Sequence, residues 1–194
     1  MKFHFFIFFF IVLNFFYFPF MAKATVDSKQ KLSSYVLDGI KTLRKDFKLS
    51  DQTKALIYDY DNNKLYLFHT EKDGHKITID HSYVVSGGRG GVSNDIKSGG
   101  TPPGVHNIFK KQGSDYKLDQ TFDAGKYGYA ETILTPTEKF EDWNSDFVLT
   151  RILRLQGLEG EKNNHSIKRS ILIHGTPEEG LLGYHESGGC LRMN

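Results

Sequence analysis

Cysteine is almost missing from this chain: of 194 residues, only Cys190 carries a thiol. An intramolecular disulfide framework is therefore excluded, and were the chain exported, a single cysteine would point to a reactive thiol or an intermolecular bridge. Its other ordinary reading is a small buried hydrophobe, but Gly188 and Gly189 stand directly before it, and core strands rarely place glycines beside the residue they bury. A charge excess of one sign is missing as well. The formal net charge is +2, and the surplus belongs to the first 24 residues, which hold Lys2, Lys23 and no acid. The remaining 170 residues balance 23 basic against 23 acidic side chains, so there is no electrostatic footprint for nucleic acid. The glycine-rich run SGGRGGVSNDIKSGGTPPGVHNI lacks the Gly-Lys-Ser/Thr ending and the strand-to-helix setting of a phosphate-binding loop. No internal repeat, low-complexity linker or metal-ligand spacing is present.

What is present begins with MKFHFFIFFFIVLNFFYFPFMAKA. A basic residue, an apolar run over residues 5–20 and the small-residue site Ala22-Lys23-Ala24 form the three parts of a secretory signal peptide, with cleavage expected after Ala24. The run is shorter than the ~20 residues that a spanning helix needs, so no stable membrane anchor is expected after cleavage. No cysteine follows the site to carry a lipid. The leader also holds ten of the sixteen phenylalanines, so the aromatic richness says little about the fold.

The rest is long enough for one domain. Residues 25–52 read as an N-terminal helical segment, because Leu32, Tyr35, Val36, Ile40 and Leu43 recur at helical spacing. Residues 53–194 form a second unit rich in short strands. ALIYDY, KLYLFHT and HKITIDHSYVVSGG, separated by turns at Asp61-Asn62-Asn63 and Asp73-Gly74, predict an antiparallel meander. A long loop then leads through Pro102 and Pro103 into a strand from Val105. AETILTP reads as a strand, DFVLTRILRLQG as a helix, EGEKNN as a polar turn, and SILIHG as a buried strand. A mainly β domain follows.

A thiol becomes a nucleophile by ionising, and a nearby histidine is the usual means of taking its proton. His174 ends the buried strand, and the Gly175 carbonyl is placed to accept one of its ring N–H groups and fix the tautomer. Backbone N–H groups around Gly188 and Gly189 would leave an oxyanion an unobstructed approach. Arg192, on the same face as Cys190 in an extended segment, suits either a substrate carboxylate or a structural ion pair. His69, His75, His81 and His165 default to surface or turn positions, as does His106, for which a place near the cleft is the alternative. The adjacent Glu178 and Glu179 read as a solvated loop.

Together, LTRILRLQGLEGEKNNHSIKRSILIHGTPEEGLLGYHESGGCLRMN, GGTPPGVHNI and ALIYDYDNNKLYLFHTEKDG resemble, in order, the catalytic core of the L,D-transpeptidase (YkuD) family. The resemblance implies a β-sandwich of mixed sheets with a few short helices. It implies Cys190 as nucleophile, His174 as base, Gly175 as the group orienting it, Gly188 and Gly189 as oxyanion backbone, and Ser187 and Arg192 as substrate-binding positions. Peptidoglycan stem peptides are the implied partner, in the periplasm or cell wall, acted on by a monomer without metal or cofactor. The implied reaction is acyl transfer from the third stem residue with loss of D-alanine, giving a 3→3 cross-link, or a carboxypeptidase reaction where water is the acceptor. Carbapenems acylate the corresponding cysteine. Two departures stand out: Gly188 occupies the family's usual histidine position, and the stretch from His174 to Ser187 is shorter than in many members. Gly188 motivates a rival reading, a degenerate peptidoglycan-binding protein, while His185 is a candidate to take over part of the missing histidine's role. The family also usually continues beyond Arg-Met-Asn, where this sequence ends.

Overall fold

The computed structural model describes residues 7–10, 34–47, 53–70, 77–122, 129–142 and 147–194. Its strands are β1 (Ile7–Phe10), β2 (Lys54–Asp59), β3 (Lys64–Thr70), β4 (Ile77–Val84), β5 (Gly104–Gln112), β6 (Gln120–Phe122), β7 (Tyr129–Ile133), β8 (Leu149–Gly157), β9 (Leu172–Gly175) and β10 (Leu191–Met193). One α-helix, α1 (Ser34–Phe47), precedes β2. The fold is mainly β, as the alternating patterns predict. Apart from β1, which pairs with β2 and β5, the expected leader lies outside the described residues, as does the Asp73-Gly74 turn. Among the described residues, no helix is long and apolar enough to cross a membrane.

The meander β2-β3-β4 forms as its alternation dictates, with Leu56 opposite Leu67 and Tyr58 opposite Leu65. Period-two alternation sends the side chains of β2 and β3 to two different cores. Ala55, Ile57, Tyr66 and Phe68 pack with Val36, Ile40 and Leu43 of α1, which explains the helical spacing of those three residues. Leu56, Tyr58 and Leu65 turn the other way and pack against Leu155, Ile171, Ile173 and Leu191. Those partners belong to β8–β10 and the turn before β9, at the far end of the strand order β10-β9-β8-β5-β1-β2-β3-β4. Distant strands sharing one core means that the sheet folds over itself, face to face, as a sandwich. Burying each of these large aliphatic side chains contributes about 1.5–3 kcal/mol.

One expected element is corrected. Over the described part of DFVLTRILRLQG, residues 147–157, no helix forms: Leu149–Gly157 is β8, paired antiparallel with β5 and β9. Leu149, Ile152 and Leu155 are all buried, and their spacing of three imitates a helical stripe. The register shifts between Leu149 and Ile152, where Thr150 has φ 56°, so the strand carries a bulge there. Beyond it, Ile152 packs with Phe122 and Leu172, while Leu155 points into the opposite core. A strand buried on both faces and interrupted by a bulge therefore produced the helix-like spacing.

Parallel pairing of β9 with β10 sets up the site. Ile173 lies opposite Leu191, His174 opposite Arg192, and Gly175 opposite Met193. Two isolated bridges, Ser86 to Arg192 and Gly88 to Ser187, fasten the segment after β4 to the cysteine segment.

Candidate active site

His174 is almost fully buried, and its Nδ1 lies 2.8 Å from the Gly175 carbonyl oxygen. A carbonyl only accepts, so Nδ1 is the protonated nitrogen and Nε2 is left as the basic one. Gly175 is itself closely packed: a Cβ there would sit 2.8 Å from the Leu149 carbonyl oxygen. His174 and Arg192 pair across the β9–β10 ladder and share a face, and Cys190 precedes Arg192 by two residues at the start of β10.

Cys190 is half-buried and forms no disulfide. Its Sγ accepts from the Leu172 N–H at 3.3 Å and, as a thiol, donates to the Ser170 carbonyl at 3.5 Å. Its side chain packs beside the cluster of Phe122, Ile152 and Leu172, with Tyr116 stacked on Phe122 at 4.2 Å. The thiol thus rests on the β9 backbone next to an apolar wall.

The turn before Cys190 is built around Ser187. This residue is fully buried, donates from Oγ to the Cys190 carbonyl at 2.6 Å and accepts from the Gly189 N–H at 3.1 Å. Ser187 therefore holds the turn closed from within, where the resemblance had put it on substrate. Gly189 has φ 126°, and a Cβ on it would meet the Gly100 carbonyl at 2.7 Å, so only glycine fits. Its N–H is directed into the turn, toward Ser187 Oγ. Gly188, by contrast, is exposed.

Arg192 also differs from the substrate-binding expectation. Its side chain is 1% exposed, as is that of Glu178, and its Nη1 donates to Glu178 Oε2 at 2.6 Å. Nη2 lies 3.5 Å from Ser86 Oγ. The structural ion pair is the alternative that is realised, and Glu178 is not the solvated residue it had looked to be. Its partner stands fourteen positions away, beyond the reach of any local pattern. Removing one member strands the other in the core, so Arg192→Met is expected to lower stability by about 3 kcal/mol or more. Chemical denaturation of the variant and of Glu178→Gln checks this.

Two histidines are settled by their surroundings. His106 is fully buried, with Nδ1 on the Gly104 carbonyl at 3.0 Å and Nε2 on Ser166 Oγ at 2.8 Å, and so serves the packing of β5 instead of a cleft or a surface turn. His185 stacks on Tyr60 with ring centroids 4.1 Å apart, and its Nε2 lies 3.3 Å from Asn63 Nδ2. The β2–β3 turn thus holds the ring. Burial pushes the His185 pKa below its usual 6.5, with Asp61 and Glu186 opposing weakly. A histidine lowered in the folded state takes up its proton more readily when unfolded, so stability falls as pH drops through about 6.5. Melting temperatures between pH 7.5 and 5 should therefore fall less steeply in His185→Gln than in the parent.

Neither a curated protein nor a solved structure matched the chain in comparison. A family model did, that of the YkuD L,D-transpeptidase catalytic domain, over residues 48–194. This span includes β2 to β10, His174 and Cys190, and covers most of the chain. The chain belongs to the YkuD family of L,D-transpeptidase catalytic domains.

Proposed function

We propose that the protein is an exported peptidoglycan L,D-transpeptidase with Cys190 as its nucleophile and His174 as its base. The observation that carries this reading is the tautomer of His174, set by the Gly175 carbonyl so that Nε2 is the basic nitrogen, on a residue that pairs in register with Arg192, two positions after Cys190. His174 takes the thiol proton, and the thiolate attacks the carbonyl of the third residue of a tetrapeptide stem. The tetrahedral oxyanion collapses, the bond to the terminal D-alanine breaks, and the imidazolium returns the proton to the departing amine. A side-chain amine of a neighbouring stem then attacks the thioester, loses a proton to His174 and restores the thiol, which yields a 3→3 cross-link. Exposed Gly188 leaves the outer side of the turn free of side chains, where the oxyanion can approach backbone N–H groups.

Water as the second nucleophile makes the same site an L,D-carboxypeptidase. Gly188, at the family's usual histidine position, favours this simpler acceptor if that histidine serves to seat the second stem. Incubation of the mature protein with a purified disaccharide tetrapeptide separates the readings. Dimer with released D-alanine indicates transpeptidation, and tripeptide with D-alanine indicates hydrolysis. Binding without either product indicates a degenerate binding protein. The signal peptide predicts secretion with loss of 24 residues, which the mass of the exported chain tests.

A further inference from the structure

Arg169 lies two residues before Ile171 and was not singled out by any sequence pattern, yet its guanidinium is fixed by the fold. Nη1 donates to the Ser93 carbonyl at 2.7 Å, and Nη2 donates to the Gly100 carbonyl. A Cβ on Gly189 would come within 2.8 Å of the same Nη2, so the cation occupies the space that a side chain before Cys190 would fill. On the other side, the thiol touches the carbonyl of Ser170, the next residue after Arg169. The two groups thus flank the same turn, and with glycine at 188 that turn has no charged side chain of its own.

We propose that Arg169 is a positioning residue for the Cys190 thiolate, clamped by two carbonyls of the glycine-rich loop so that a fixed positive charge stands beside the nucleophile's turn. The inference rests on Cys190 being the nucleophile. It gives the loop over residues 93–100 a role in tuning the thiol, since Ser93 and Gly100 hold the cation in place. Burial lowers the Arg169 pKa, while the ionised Cys190 and Asp95 act to raise it. Attraction is mutual, so the guanidinium, charged throughout the accessible pH range, favours ionisation of the thiol. The other ionisable groups around the thiol are His174 on β9, the Arg192–Glu178 pair on the same face, and Tyr116 at the apolar wall. The paired arginine has its charge engaged by Glu178, which leaves Arg169 as the fixed cation beside the thiol among the described groups just named.

The test is the pH dependence of iodoacetamide alkylation in the full mature protein, with melting curves alongside. In Arg169→Gln the thiol titrates about one pH unit higher, so alkylation below the midpoint slows about tenfold. Arg169→Lys keeps the charge and stays near the parent. Asp95→Asn leaves both carbonyl bonds intact and shifts the midpoint slightly downward, which keeps the proposal testable if the glutamine variant does not fold. Equal midpoints in all variants, even with lowered melting temperatures, would reduce Arg169 to a loop clamp and overturn the proposal. Parent protein that a carbapenem fails to acylate would instead overturn the nucleophile assignment, whatever Arg169 does.

Discussion

Cys190→Ala is expected to abolish turnover of a tetrapeptide stem, by about five orders of magnitude or more, because the proposed acyl intermediate forms on its thiol. The fold survives the change. Only one sulfur atom leaves the apolar wall of Phe122, Ile152 and Leu172, and the β9 and β10 backbones keep their pairing. A loss of about 1 kcal/mol is the expected scale for so small a truncation at a half-buried position. Product analysis by mass spectrometry, with a melting curve on the same sample, separates the chemical effect from the structural one. Residual turnover within a hundredfold of the parent would mean that Cys190 does not carry the chemistry.

His174→Gln should lower kcat by about 10²–10⁴-fold, the range that a positioned general base contributes. Glutamine can keep a donor toward the Gly175 carbonyl, which holds the imidazole at 2.8 Å in the parent, so packing is largely preserved. Substrate binding should change less than kcat, since the base acts on the proton transfer and not on the stem. The variant's thiol should also alkylate more slowly at neutral pH. A KM effect larger than the kcat effect would instead assign His174 to binding.

Much of this architecture is written in local pattern. Alternation in β2 and β3 divides Ala55, Ile57, Tyr66 and Phe68 from Leu56, Tyr58 and Leu65, and each set finds its own core. Cys190 and His174 stand out as a lone thiol and as a histidine-glycine step ending a buried strand. What could not be read locally depends on chain closure. β8 reads as a helix because plain alternation puts Ile152 and Leu155, three apart, in two different cores, while the bulge at Thr150 breaks the period of two before them. For Arg192 the sequence leaves substrate carboxylate and structural ion pair both open, because Glu178, fourteen positions earlier, meets it only in the folded chain. Ser187 and Arg169 follow the same rule. Their partners, the Cys190 carbonyl for one and the Ser93 and Gly100 carbonyls for the other, are backbone atoms, which no residue pattern announces.

Gly188 concentrates the functional question in one position. With an exposed glycine where the resemblance expects a histidine, the proposed chemistry at the thiol falls to His174, Arg169 and the turn backbone. Intact mass of the mature protein before and after incubation with a carbapenem tests this most directly, with Cys190→Ala in parallel. The expected result is a single covalent adduct on the parent and none on the variant, since acylation requires the thiolate, the base and the oxyanion site to work together. A folded parent with a titratable free thiol and no adduct would contradict it, and would make the protein a binding module built on a transpeptidase fold.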